Sequence, residues 1–352
     1  MARVILADLK SADANGICVG HYFALASNYD QVFSPHCDFK ISGGPLYEKQ
    51  FKKESLIVLP HSFVEGDNKL KNFFRMLFNA KKLFSSIDKD DVVIIQDSQP
   101  AMILFVLLLT YFGKANLFQI HYSEGPMRRW YFRAMMKFAR RNIKGVLCPN
   151  ENVGKAYAVP YICVPDYIYV EQKSFSKKQY AEKKFDFMSI GRIVNDKGIL
   201  ETAKAFVNSP HSLLIAGKPD ENFDVKQLVM TAKKNKKISV FLDYLSESDF
   251  KCYIEESRYC ILNYQGSYVE RSSGVVLDTL FKGVPIVGRR CRALQFIEDY
   301  GMGFLYDDIN DFDFSKILDP IIWQKCVDAI DVYKKQFEEY NKSLLNFVGV
   351  KN

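Results

Sequence analysis

FDFMSIGRIVNDKGILETAKAF, residues 185 to 206, reads as one strand, one turn and one helix. FDFMSIG is short, apolar and closed by a glycine, as expected of a strand covered on both faces. ILETAKAF then spaces its apolar residues like the covered side of a helix. A covered strand feeding a helix is the repeating unit of a parallel sheet in an α/β protein.

The same alternation extends in both directions. Downstream, SLLIAG (212–217), KISVFL (237–242), YCILNY (259–264), VPIVG (284–288) and GFLYD (303–307) are strand candidates. Upstream, RVILADL (3–9), SLIVL (55–59), DVVIIQD (91–97), NLFQIHY (116–122) and GVLCP (145–149) form a separate series. Residues 161–184 lie between the series and read as a linker after a short strand, because the lysine-rich EQKSFSKKQYAEKK has little to bury. From Asp319 the spacing is that of one or two helices. This pattern predicts two doubly wound domains whose strand carboxyl ends flank one cleft. The expected boundaries are 1–170, 171–330 and a terminal helix, 331–352, returning to the first domain.

The chain's 352 residues exceed what one hydrophobic core ordinarily serves. Its 48% hydrophobic and 25% charged residues argue against a disordered or fibrous class. The longest apolar run, AMILFVLLLTYF (101–112), falls short of the roughly 20 residues of a spanning helix and is expected to be a buried core helix. The start, MARVILADLK, has no secretory h-region, so a cytoplasmic protein is expected. The eight cysteines include no C-x-x-C pair and read as reduced, buried thiols. The five histidines are scattered, and no metal or other cofactor is expected.

Charge is unevenly divided. Residues 1–165 carry 21 Lys+Arg against 14 Asp+Glu, whereas residues 166–352 carry 27 of each, so the whole excess of +7 lies in the first half. A half of this kind suits a negatively charged partner.

Two segments carry the chemistry. Arg192 and Lys197 bracket the turn after strand 185–191, and Gly198 opens the following helix. Two cations beside backbone N–H groups make a phosphate site, although an isolated R-x4-K is commonly a pair of solvated charges. In NYQGSYVERSSGVVLDTLFKGVPIVG (263–288), Glu270, Ser272, Ser273 and Gly274 occupy a loop, and Asp278 lies about one turn inside the next helix. Two acceptor carboxylates so placed can grip different parts of one elongated ligand, while singly they read as a cap and a surface charge.

Together these segments resemble family 4 of the glycosyltransferases, retaining enzymes of the GT-B fold that use nucleotide-diphosphate sugars. The resemblance covers most of the chain and is most specific over 185–307. It implies two Rossmann-like domains facing a central cleft. It puts the donor diphosphate on Arg192 and Lys197, the transferred sugar near Glu270, and the ribose at Asp278, with Ser273 and Gly274 in the donor loop. The sequence departs from the family's E-G-F-G, here Glu270-Arg-Ser-Ser-Gly274, and has Asp278 where the family has Glu. Gly16, in the SADANG loop (11–16), resembles the family's first-loop glycine beside donor phosphates or acceptor. His121 stands at the family's histidine position facing the transferred sugar. The implied reaction is hexosyl transfer to a saccharide or lipid-linked saccharide, in bacterial capsule, O-antigen or exopolysaccharide synthesis, with no metal required. An inactive GT-B partner protein and a nucleotide-sugar epimerase are the alternatives.

MRRWYFRAMMKFARRNIK (127–144) interleaves cations with aromatics and has no acid. Arg128, Arg129, Trp130, Arg133 and Lys137 are therefore expected to contact an anionic membrane surface, on the inner face of the plasma membrane. KLKNFFRMLFNAKKLF (69–84) repeats the theme. The plain alternative is a helix packed on the sheet with its lysines and arginines in water. No recognised nucleic-acid motif accompanies these residues, so nucleic acid is not an expected partner.

Overall fold

The protein was analysed as a computed structural model that describes residues 3–14, 17–18, 22–64, 67–96, 100–111, 113, 115–164, 178–270 and 273–350. Contacts divide the chain into two units, Met1–Val170 with Phe337–Asn352, and Glu171–Gln336.

The first unit is built on seven parallel strands. They are β1 (Arg3–Ala7), β4 (Asp38–Gly43), β5 (Leu56–Val58), β7 (Val92–Gln96), β8 (Asn116–Ile120), β9 (Ile143–Cys148) and β10 (Tyr161–Cys163), in the order β10-β9-β8-β7-β1-β4-β5. A small accessory sheet joins β2 (Ala12–Ala14), β3 (Ile17–Cys18) and β6 (Phe63–Val64). The main strands are apolar on both sides because both faces are covered. On one face lie α2 (Lys69–Ser85), α3 (Pro100–Thr110), α4 (Trp130–Ala139) and α5 (Glu151–Tyr157), packed over Ile5, Val93, Ile95, Leu117 and Val146. On the other lies α1 (Tyr22–Phe33), over Val4, Leu6, Ile94, Phe118 and Leu147.

The second unit repeats the design with β11 (Phe185–Ile190), β12 (Leu213–Ala216), β13 (Ile238–Phe241), β14 (Ser257–Leu262), β15 (Ile286–Arg289) and β16 (Gly303–Tyr306). Their order is β13-β12-β11-β14-β15-β16, all parallel. Its helices are α6 (Ile199–Ala205), α7 (Val225–Ala232), α8 (Glu247–Glu255), α9 (Gly274–Phe281), α10 (Gln295–Asp299) and α11 (Phe314–Ile317). A single helix, α12 (Pro320–Phe347), closes the chain. Its early residues Trp323 and Val327 join the core of the second unit, and its late residues Leu344 and Leu345 join that of the first.

The six strand candidates of the second series and the five of the first are all strands in the structure, and three sequence readings are corrected. Strand β4 was missed, because DFKISG alternates polar and apolar residues too briefly to stand out. The run 101–112 is not simply a core helix: α3 buries Ile103, Leu104, Val106 and Leu107 but exposes Phe105, Leu108 and Leu109. The helix expected after Gly198 is present, seven residues long, with a 3-10 turn at Asn195–Lys197 before it. Among the described residues, the cysteines other than Cys18 are free thiols but not uniformly buried, since Cys252 is exposed.

The chain leaves β1 through a tightly bonded corner. Asp8, fully buried, accepts hydrogen bonds at Oδ1 from the N–H groups of Lys10 and Ser11, and at Oδ2 from the Tyr47 hydroxyl at 2.8 Å. The Ser11 hydroxyl donates to the Asp8 carbonyl and accepts from the Gly44 N–H. Removing the carboxylate strands three donors, so Asp8→Ala is expected to cost about 3 kcal/mol in urea unfolding, against about 1 kcal/mol for Tyr47→Phe. Equal effects of the two substitutions would contradict this account of the corner.

Candidate donor-binding site of the second unit

Strand order reverses between β11 and β14: the chain runs outward from β11 to β13, then returns to β14 and proceeds the other way. At such a reversal the connections leave opposite faces, opening a crevice at the strand carboxyl ends. The described residues delivered there are 191–198 after β11 and 263–270 with 273–274 after β14, from the two segments that carry the sequence motifs.

The loops are bonded together. The Asp196 carbonyl accepts from the Gln265 N–H at 2.7 Å, and its Oδ2 accepts from both the N–H and the hydroxyl of Ser267. Gly198 sits at φ +61°, and a Cβ there would lie 2.3 Å from the Asn263 carbonyl oxygen, so only glycine allows this approach. The Tyr264 hydroxyl donates to Ser273 Oγ at 2.7 Å, which anchors the far end of the second loop just before Gly274 and α9.

Within this frame the two predicted cations differ. Lys197 is 6% exposed, with its amine 5.6 Å from the centre of the Tyr268 ring. Among the described residues its amine has no hydrogen-bond or ion-pair partner, and burial brings it down to about 8. A Cβ at Gly191, whose φ is +97°, would approach that amine to 3.3 Å. Arg192, by contrast, is exposed and ion-paired to Asp220, an acid that sequence reasoning missed because it lies 28 residues away, beyond β12.

The carboxylates differ as well. Glu270 is exposed at the end of a 3-10 turn and faces Arg292 at 3.6 Å, a second cation that the sequence reading did not single out. Asp278 keeps some exposed surface, yet its carboxyl lies deep enough for desolvation to lift it to about 7, with Lys282 and Lys251 pulling the other way. Ser272 lies outside the described residues.

The remaining expected site residues belong to the first unit. His121 follows β8 and is 1% exposed; its Nε2 is 3.0 Å from Gln119 Oε1, and its ring stacks on Tyr157 at 3.8 Å. Gly16 lies outside the described residues. Arg128, Arg129, Trp130, Arg133 and Lys137 are exposed on α4 and the turn before it; Arg128 pairs with Glu124 and Arg129 donates to the Tyr131 hydroxyl.

No family model matches the chain, and no curated protein matches it in sequence. Solved structures match its fold from end to end. A UDP-forming α,α-trehalose-phosphate synthase from Burkholderia xenovorans, in complex with glucose-6-phosphate, aligns with a TM-score of 0.66 at 9% identity, covering 99% of this chain and 100% of that one. An E. coli trehalose-6-phosphate structure bound with UDP-2-fluoro glucose aligns with a TM-score of 0.67 at 11% identity, covering 99% and 100%. Anabaena HepE, in complex with UDP and glucose, aligns with a TM-score of 0.64 at 13% identity, covering 98% and 99%. The chain thus has the α/β fold of the GT-B glycosyltransferases.

The electrostatics give two opposite pH signatures. Asp278 is held above its ordinary 3.8, so the folded state keeps a proton that the unfolded chain has released; stability is lost as pH rises toward about 7. Asp278→Asn should therefore raise the Tm at about pH 8 and leave it unchanged near pH 4, in thermal melts by circular dichroism. Lys197 is held below its ordinary 10.5, so the unfolded chain binds the extra proton and stability rises between about 8 and 10.5. Lys197→Met should raise the Tm at neutral pH and flatten that rise.

Proposed function

We propose that this protein is a retaining glycosyltransferase that moves a hexose from a nucleotide-diphosphate sugar to a saccharide or lipid-linked saccharide. The observation that carries the reading is Lys197, a buried amine with no acid beside it, at the strand reversal of an α/β unit. Burying an unpartnered cation is costly, and a diphosphate entering the crevice would repay that cost through a strong, poorly screened attraction.

Departure of the nucleoside diphosphate builds negative charge on the leaving oxygen. A cation already fixed there stabilises the transition state more than the ground state, without a metal. Arg192 reinforces Lys197 once its guanidinium turns from Asp220 to the phosphates. Glu270, and His121 as the family resemblance implies, orient the transferred sugar, while Asp278 meets the ribose hydroxyls. The E-x7-D spacing and the GT-B fold support membership of family 4. The same reading assigns the protein to bacterial capsule, O-antigen or exopolysaccharide synthesis at the cytoplasmic face of the membrane. The α4 cations Arg128, Arg129, Arg133 and Lys137, with Trp130, supply a peripheral contact to anionic head groups.

The test is a thermal-shift and calorimetric screen of nucleotide-diphosphate sugars, followed by turnover with saccharide acceptors. One donor is expected to stabilise the wild type, and Lys197→Ala should abolish that shift and lower kcat by roughly a hundredfold or more. Because the anion restores the charge of Lys197, binding near pH 8 should take up a proton, seen as a heat that varies with the buffer's ionisation enthalpy. No stabilisation by any donor would sink the reading in favour of an inactive partner protein. Release of epimerised sugar without acceptor would mark an epimerase.

A further inference from the structure

The outward surface of α2, α3 and α4 is apolar where water-facing helices are ordinarily polar. Helix α3, PAMILFVLLLT, has no charged residue and packs between the other two. Its outer side carries Phe105, 46% exposed, with Leu108 and Leu109 one turn on. Helix α2 presents Leu70, Phe74 and Phe78 at intervals of four, along one stripe. Helix α4 presents Trp130, 75% exposed, together with Tyr131 and Phe138. The Phe73 ring lies 5.6 Å from Phe74 and 5.7 Å from Phe105, so the apolar surfaces of α2 and α3 are continuous.

Cations flank this apolar centre on both sides. Lys71, Lys81 and Lys82 are exposed on α2, and Arg133, Lys137 and Arg140 on α4 or at its end. Two acids nearby, Asp67 and Glu124, are already paired, the first with Lys71 and Arg75 and the second with Arg128. This face belongs to the half of the chain that holds the whole +7 excess.

We infer that α3 is an in-plane membrane anchor: the α2–α3–α4 face sinks its apolar centre to the acyl boundary of an anionic bilayer, with the flanking cations among the head groups. The inference rests on the peripheral contact proposed above and adds insertion to it. An anionic bilayer matches both halves of the surface, since apolar helix faces settle about 5–10 Å into the head-group and acyl boundary while basic residues near the surface are drawn to the anionic head groups. A second copy docked two-fold on this face would set its own cations against themselves. A nucleic acid strand would match the cations and leave the aliphatic face of α3 unexplained. The 11 residues of α3 reach about 16 Å, half the roughly 30 Å of hydrocarbon, so the helix lies in the membrane surface and does not cross it.

The full-length protein is tested by flotation and tryptophan fluorescence with vesicles of phosphatidylcholine, alone or mixed with phosphatidylglycerol. Trp130 reports insertion, because the second of the two tryptophans, Trp323, is buried and donates its indole N–H to the Arg258 carbonyl. The wild type is expected to float with the anionic vesicles, to show a blue-shifted Trp130, and to be quenched by lipids brominated on the acyl chain. Phe105→Glu with Leu109→Glu should weaken partitioning by about tenfold or more, and Phe105→Ala with Leu109→Ala by less. Both pairs are at exposed positions, so the Tm should hold and confirm that the fold survives. Binding that salt abolishes, that both pairs leave unchanged and that acyl bromines do not quench would overturn insertion while leaving the peripheral contact standing. Failure to bind anionic vesicles, including the case of a dimer in solution that the same substitutions dissociate, would overturn both. Neither result bears on nucleotide-sugar binding by the second unit, which is measured without lipid.

Discussion

The reversal of strand order between β11 and β14 is the constraint on which the candidate site depends. Parallel strands are joined by helices that cross over the sheet, and connections leaving neighbouring strands toward opposite faces cannot cover the gap between them. The gap lies at the carboxyl ends, so residues 191–198 and 263–270 meet there although more than sixty positions separate them. Asp196 then bonds the two loops, and Gly198 lets their backbones approach closely.

Enclosure in that crevice changes what each charged group can do. Lys197 loses water without gaining an acid, and Asp278 loses water that Lys282 and Lys251 only partly offset. Both groups weaken the folded state near neutral pH, one as a cation and the other as an anion. Groups that cost stability without improving packing are commonly found where a ligand supplies the missing partner. Arg192 illustrates the other condition: exposed and held by Asp220, it is neutralised at little cost and can exchange that acid for another anion.

The first unit applies the same architecture to different ends. Its sheet is apolar on both faces, and the helices over one face have a second apolar surface of their own. In a helix covered on one side only, that outer surface should be polar. Here the polar residues are displaced to the flanks as lysine and arginine, a distribution suited to a boundary between hydrocarbon and anionic head groups.

The sequence by itself determined the alternation of covered strands and helices, and with it the α/β class, because strand and helix periods are set by residues within a turn or two of one another. It also marked Lys197, Glu270 and Asp278 by spacing, since a loop following a strand is local as well. Only the tertiary structure decided which of these groups lose water and which find partners: Asp220 reaches Arg192 from beyond the neighbouring strand, and Arg292 reaches Glu270 from beyond the next. Strand β4 exists as a strand through its pairing with β1 and β5, and the outward face of α3 is apolar surface only because none of the described residues covers it. Burial and pairing depend on distance in space, which a chain read residue by residue does not contain.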